Sequence, residues 1–193
     1  MHASRETWLT TAARGPIAGL FKAKGVTIPD AFKRVRVSVG FPLGARTTSA
    51  IGQCWYPSAS ADGMHEVFVS PVIDDASRAL DVLAHELCHV AAGSSAQHGT
   101  AFKRLAHAVG LTGKMKATTA GPEFTAWAKG ALGELGKYPH GALNVARSPR
   151  KKQTTRLIKV SCPDCDYTVR VTRSWLDIGL PICPADTIPM EEA

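Results

Sequence analysis

The sequence predicts an α+β fold, in which a small sheet packs on one central helix and a small β module follows. Three segments, at 33–39, 51–56 and 66–70, have the length and residue pattern of short strands. They precede an apolar segment at 75–92 with the length and period of a buried helix. Three cysteines near the C-terminus then indicate a metal-binding module.

A long helix is predicted before the first strand. Ser4 is a suitable N-terminal cap for a helix from about Arg5 to Lys24, and Gly25 is suited to end it. The Gly15-Pro16 pair is expected to kink this helix, because proline removes a backbone donor and crowds the preceding turn.

Further helices are predicted on both sides of a stretch without an assigned element. Asp74 or Asp75 caps the central helix, which ends at Gly93. A third helix begins near Gly99 or Thr100 and ends at Gly110. A stretch rich in Gly, Lys and Thr follows at 112–121, and Pro122 then opens a fourth helix to about Leu135.

Charge and composition divide the chain into three predicted parts: a main domain at 1–136, a basic linker at 137–155 and a ribbon-like module at 156–193. Residues 137–173 carry 9 basic and 2 acidic side chains, whereas residues 1–136 carry 14 and 10. This excess favours a polyanion such as DNA as a partner, and the alternative is a solvated linker without one. The candidate contacts are Arg147, Arg150, Lys151, Lys152 and Arg156.

The overall composition is that of a soluble protein in a reducing compartment. Of the 193 residues 45% are hydrophobic, yet no apolar run approaches the roughly 20 residues that span a bilayer. The N-terminus lacks the apolar core of a signal peptide. Five cysteines, an odd number that includes a CxxC pair, argue against a disulfide framework. We therefore expect a cytoplasmic protein, without membrane association and provisionally monomeric.

The central helix carries the pattern His-Glu-x-x-His at residues 85 to 89. Two imidazoles four residues apart lie on one helix face, so His85 and His89 can bind one metal ion. His98, which follows after a loop, is the candidate third ligand of a catalytic zinc that keeps one open position. Glu86 points near that position and is the candidate general base.

The alternative is that these are ordinary polar residues on an exposed helix face. Between residues 80 and 91 only Asp81 and Glu86 carry formal charge. A helix this apolar is normally buried on most sides, so its ligand face should open into a lined cleft.

The C-terminal module is predicted to be a zinc ribbon. A strand at 156–160 leads into Cys162 and Cys165, a hairpin partner follows at 167–171, and Cys183 comes later. A structural zinc takes four ligands, and no fourth cysteine follows. Asp186 is a candidate fourth ligand at CxxC-like spacing, and the alternative is a degenerate site that holds metal weakly or not at all.

Together these motifs resemble the SprT-like family of zinc metallopeptidases, which is related to Spartan. The resemblance rests on the pentapeptide at 85–89, on His98-Gly99-Thr100-Ala101-Phe102 and on the cysteine module, and it is most like small phage and bacterial members. It implies a zincin-like fold, zinc at the three histidines and Glu86 as general base. Spartan-type members cut proteins crosslinked to DNA, so it also implies a protein substrate and a DNA partner. The missing fourth cysteine of the ribbon is a departure from the family pattern.

The expected reaction is hydrolysis of peptide bonds by a zinc-activated water, with Glu86 as general base. The strand at 66–69 is expected to bind an extended substrate as a further strand. One alternative is a nucleic-acid-binding or adaptor protein with structural zinc and no proteolytic activity. Another is a zinc amidase acting on cell-wall peptides.

Overall fold

The computed structural model describes residues 2–26, 30–43, 50–147 and 156–192. The chain divides into two compact units, Met1–Arg147 and Ser148–Ala193. Both units are mixed α and β. In the part of the chain that the structure describes, no helix has the length and apolar character needed to cross a bilayer.

The first unit contains five helices and five short strands among its described residues. They are α1 (Arg5–Ala12), α2 (Ala18–Ala23), β1 (Val35–Val39), β2 (Gly52–Trp55), β3 (His65–Val69), α3 (Ala76–Ala92), α4 (Thr100–Ala108), β4 (Leu111–Lys114), β5 (Ala117–Ala120) and α5 (Pro122–Leu135). The positions of α3, α4 and α5 follow the sequence pattern closely.

The N-terminal helix is capped and interrupted where the sequence indicates. The Ser4 side chain accepts a hydrogen bond from the backbone N–H of Thr7, as an N-terminal cap does. Between α1 and α2, residues Ala13–Ile17 form one π-helical turn that contains Pro16. Proline has no backbone N–H, so one carbonyl of the preceding turn lacks its usual hydrogen-bond donor. The wider π-helical turn accommodates that loss.

The three-stranded sheet has the order β1-β3-β2. Strand β3 pairs in parallel with β1 and antiparallel with β2, so both of its edges are occupied. The expectation that residues 66–69 accept a substrate strand is therefore wrong. The order of strands in a sheet is set by tertiary packing, which the residue pattern of one strand does not show. Strand β2 lines the cleft and has no second partner among the described strands, so it is the free edge on that side.

Helix α3 runs through the centre of the unit and is buried along most of its length. The Asp75 side chain caps it by accepting a hydrogen bond from Arg78 N at 2.7 Å. Leu80, Leu83 and Leu87 are fully buried in the core. Gly93 ends the helix with φ of 82°, a backbone conformation that a residue with a Cβ rarely adopts.

Strands β4 and β5 form a hairpin that the sequence pattern does not predict. Its register pairs Leu111 with Ala120 and Lys114 with Ala117. The hairpin packs on α3 through β5, and the Asp81 carboxylate accepts a hydrogen bond from Ala120 N at 3.2 Å.

The chain continues to pack on the first unit beyond α5, which differs from a linker that begins at residue 137. Trp8 Nε1 donates a hydrogen bond to Gly136 O, and the Tyr138 ring lies 4.8 Å from the Trp8 ring. Leu143 N donates to Pro71 O at 2.8 Å. Tyr138 is 3% exposed, so apolar burial holds this segment in place.

The second unit is a small β module. Strand β6 (Leu157–Ser161) pairs antiparallel with β7 (Thr168–Thr172) and with the short β8 (Glu191–Glu192), and α6 (Arg173–Leu176) follows β7. Its buried hydrophobic residues are Val160, Cys162, Cys183 and Met190.

Candidate active site

Helix α3 and the loop after it bring three histidines together. His85 and His89 lie one helical turn apart, and their ring centres are separated by 5.2 Å. His98, just before α4, lies 4.6 Å from His89 and 5.5 Å from His85. One nitrogen from each ring lies within 4.8 Å of the other two. The structure therefore brings together the three residues predicted as metal ligands.

Phe102 on α4 supports all three rings. It is fully buried, and its ring centre lies 4.3 Å from that of His89, 4.8 Å from His85 and 5.0 Å from His98. A fixed aromatic wall restricts the rotation of the imidazoles. This contact explains why a phenylalanine follows His98 at this spacing.

The cluster fits a zinc ion in distance and in chemistry. His89 Nε2 and His98 Nε2 are 3.2 Å apart, close to the edge of about 3.3 Å in a tetrahedron with Zn–N bonds of about 2.0 Å. Burial lowers the pKa of His85 to about 4 and that of His89 to about 3, and neighbouring charge adds to both shifts. These imidazoles are neutral at pH 7, which is the form that binds metals.

Glu86 lies beside the histidines in a buried position. Its side chain is 5% exposed, and burial raises its pKa to about 8. Gly52 on β2 lies directly against it, because an ideal Cβ at residue 52 would lie 2.3 Å from Glu86 Oε1. The carboxylate therefore occupies space that only a glycine leaves open.

The histidines and Glu86 line a cleft of about 710 Å³. One wall is formed by residues 50–54 and Tyr56, which include the free edge of β2. Lys116 and Thr118 from the β4–β5 hairpin also line the cleft. The predicted lined cleft is thus present, and its dimensions suit a peptide segment rather than a small ion alone.

Thr118 is a site residue that sequence reasoning missed. Its side chain is buried, and its Oγ1 lies 2.7 Å from His85 Nδ1. The nearby residues 112–121 carry no periodic signal, and no motif connects residue 118 with residue 85. Only the folded hairpin places the hydroxyl beside the imidazole.

Comparison with family models identifies the relationship. The model of the SprT-like family matches residues 19–139, which is more than half of the chain. The chain belongs to the SprT-like family. No curated protein matches the sequence, and no solved structure matches it either.

In this SprT-like chain the matched region contains the whole histidine cluster, whereas the cysteine module lies outside it. The module brings its three cysteines and Asp186 together, with one ligand atom of each within 4.8 Å of the others. Cys165 Sγ lies 3.6 Å from Cys183 Sγ, and Asp186 Oδ2 lies 3.2 Å from Cys162 Sγ. Tetrahedral zinc with Zn–S bonds of about 2.3 Å has S···S edges of about 3.8 Å, close to the separation of Cys165 and Cys183, so the thiol groups of this module also fit zinc.

The residues around Cys183 repeat the backbone turn around Cys162. In both turns the amide four residues later donates to the cysteine carbonyl, from Asp166 and from Thr187. Both of those residues have φ of 59°. Because Asp186 lies three residues after Cys183, it occupies the position that Cys165 holds after Cys162.

The predicted nucleic-acid contacts are only partly described. Arg147 is exposed in the short helical turn Val145–Arg147, and Arg156 is exposed just before β6. Arg150, Lys151 and Lys152 lie outside the described residues.

Proposed function

We propose that this SprT-like protein is a zinc-dependent metallopeptidase. One observation carries the proposal: three imidazoles converge beside the buried carboxylate of Glu86, in a cleft bordered by a strand edge that has no partner among the described strands. His85, His89 and His98 would hold the zinc ion. When bound, zinc supplies Lewis-acid chemistry, which acidifies a water and polarises the scissile carbonyl.

Glu86 performs the proton transfers in this proposal. Its carboxylate accepts a proton from the attacking water as the new C–O bond forms, and then delivers that proton to the leaving amide nitrogen as the C–N bond breaks. Burial already raises its pKa towards neutrality, which favours a group that must both accept and return a proton. The positive charge of a bound metal acts in the opposite direction and keeps the group ionised before the reaction.

Strand β2 is the proposed binding edge for the substrate. Its backbone lines the cleft, and on the side away from β3 it pairs with no described strand. An extended peptide that pairs there places its scissile bond next to Glu86, because Gly52 lies against that carboxylate. Main-chain pairing recognises any extended segment, so this site favours unfolded or flexible protein substrates.

The direct test replaces Glu86 with glutamine. Glu86→Gln should retain the zinc content of the wild type but lose at least about 100-fold in the rate of casein cleavage, because the amide cannot accept the proton. A zinc-loaded variant with full activity would contradict the mechanism. A wild-type protein that binds zinc and DNA but cleaves neither casein nor a histone-like protein would favour the adaptor alternative.

We also propose that the second unit holds a structural zinc through three cysteines and Asp186. The repeated backbone turn supports Asp186 as the fourth ligand. Metal analysis tests both sites: the wild type should bind two zinc ions per chain, and His98→Ala and Cys162→Ala should each bind one. A Cys162→Ala variant that still binds two would refute the second site.

DNA-associated proteins, including proteins crosslinked to DNA, are the proposed substrate class. The support is the SprT-like relationship together with the basic character of residues 137–173. Binding of single-stranded DNA should weaken steeply between 50 and 200 mM salt if the predicted contacts bind phosphates, namely Arg147, Arg150, Lys151, Lys152 and Arg156. An affinity that does not change with salt would contradict DNA binding by these residues. It would leave the proposed peptidase activity untouched, because casein cleavage tests that activity separately.

A further inference from the structure

The β4–β5 hairpin contacts the histidine cluster at one point. Thr118 on β5 is 6% exposed, and its Oγ1 forms a hydrogen bond of 2.7 Å with His85 Nδ1. The next residue, Thr119, points away from the cluster and is exposed. Thr118 thus differs from Thr119 because it is buried and hydrogen-bonded to His85.

In the metal-binding form of the imidazole, Thr118 is the acceptor of this hydrogen bond. A neutral imidazole carries a hydrogen on one nitrogen and a lone pair on the other. When Nδ1–H donates to Thr118 Oγ1, the lone pair is on Nε2, which is the nitrogen left for a metal ion. With the opposite tautomer Nε2 would carry the hydrogen and could not bind a metal.

A second set of contacts holds Thr118 in place. Asp81 lies one turn before His85 on α3, and its buried carboxylate accepts hydrogen bonds from Ala120 N at 3.2 Å and from Arg78 Nη1 at 2.8 Å. Arg78 Nη1 also lies 3.4 Å from Thr118 O, where it donates a weaker hydrogen bond. The helix that carries His85 therefore holds the β5 backbone at Thr118 O and at Ala120 N.

From these contacts we propose that Thr118 is a positioning residue for the metal site, held by Asp81 and Arg78. It orients the His85 ring and accepts the Nδ1 hydrogen of the tautomer that presents Nε2. The inference rests on the proposed role of His85 as a zinc ligand. Partners of this kind typically change metal affinity or activity by about 10- to 100-fold when removed.

The test compares four full-length proteins: the wild type, Thr118→Val, Thr118→Ser and Thr119→Val. Valine keeps the shape of threonine but removes the acceptor, serine keeps the hydroxyl, and Thr119→Val is the matched control on the exposed face. Zinc affinity of the histidine site is measured by competition with a chelator, and cleavage of casein is measured as free zinc is increased. Far-ultraviolet circular dichroism of each metal-free protein checks that it is folded.

We expect Thr118→Val to bind zinc about 10- to 100-fold more weakly and to regain activity when zinc is added. Thr118→Ser should lie within about threefold of the wild type, because it restores the acceptor. Thr119→Val should be unchanged. If Thr118→Val does not fold, Thr118→Ala replaces it in the comparison with Thr118→Ser.

Two results would overturn the inference, and they differ from failure of the proposed function. A folded Thr118→Val that binds zinc as tightly as the wild type removes the role of Thr118 while the peptidase proposal stands. The same holds if serine fails to restore affinity. If instead the wild type and His85→Ala contain equal zinc and neither cleaves casein, the proposed function and this inference fall together.

Discussion

Gly52→Ala is the substitution whose consequence follows most directly from the structure. The Cβ of an alanine at residue 52 would lie 2.3 Å from Glu86 Oε1 and 2.8 Å from Val82 Cγ1. Ordinary van der Waals contact begins at 3.4 Å, so the carboxylate would have to retreat by about 1.1 Å. The β2 backbone cannot easily yield instead, because Gly52 is paired with Val69 in the sheet.

A displacement of this size should affect catalysis much more than metal binding. Glu86 is the proposed base and not a ligand, so the zinc content should stay at the wild-type level. Misplacing a reacting group by about 1 Å costs about 100-fold in rate, or about 2.7 kcal/mol in activation free energy. We therefore expect kcat/KM for casein cleavage to fall by about two orders of magnitude.

The assay needs a control for the added methyl group itself. Gly130 on α5 is exposed, and a Cβ there would meet nothing within 4 Å. Gly130→Ala should retain full activity and gain about 0.5 to 1 kcal/mol of stability from its helical position. If Gly52→Ala is folded, carries zinc and cleaves within twofold of the wild type, then the packing of Glu86 against residue 52 does not position the base.

Four further outcomes are expected. Burial raises the pKa of the Cys54 thiol to about 12. Iodoacetamide should therefore leave Cys54 unmodified in the native protein at pH 8 but modify it in urea, and labelling of the native protein should rise only as the pH approaches 12. Peptide mapping of the labelled protein checks this. Phe102→Ala should cost about 3 to 5 kcal/mol of unfolding free energy in urea and weaken zinc binding, since it removes a wall shared by three imidazoles. Asp186→Ala should lower the zinc content from two ions to one, whereas Asp186→Cys should keep two; equal zinc in the wild type and the alanine variant would exclude Asp186 as a ligand. A strong chelator should abolish the β-sheet signal of an isolated 148–193 fragment loaded with zinc, and an unchanged spectrum would show that this unit folds without metal.

The sequence predicts most accurately those parts of the fold whose residue pattern lies within a single segment, and α3 is the best example. In α3 the Asp75 cap, the leucine stripe and the Gly93 stop all lie within one segment, and the histidine spacing is a property of the same helix. His98 was predictable because only a short loop separates it from α3. Local pattern and tertiary structure agree there.

The missed features depend on contacts between segments distant in the sequence. Strand β3 is central because β1 and β2 both pair with it, and the alternation of residues 65–69 says nothing about the number of neighbours. The β4–β5 hairpin is hydrogen-bonded to α3 through Asp81, which lies 39 residues before Ala120. Such a contact leaves no periodic trace in residues 112–121.

The two proposed metal centres differ in how much of the protein holds them. Around the histidines, Phe102, Thr118 and the core of the first unit fix each ring, so that site is preorganised by a fold that has its own hydrophobic core. In the second unit the buried hydrophobic cluster consists of Val160, Cys162, Cys183 and Met190, and two of these four are proposed ligands. So small a core supplies little burial energy, and we therefore expect this unit to fold only when it binds metal. Loss of zinc should therefore inactivate the first unit but unfold the second.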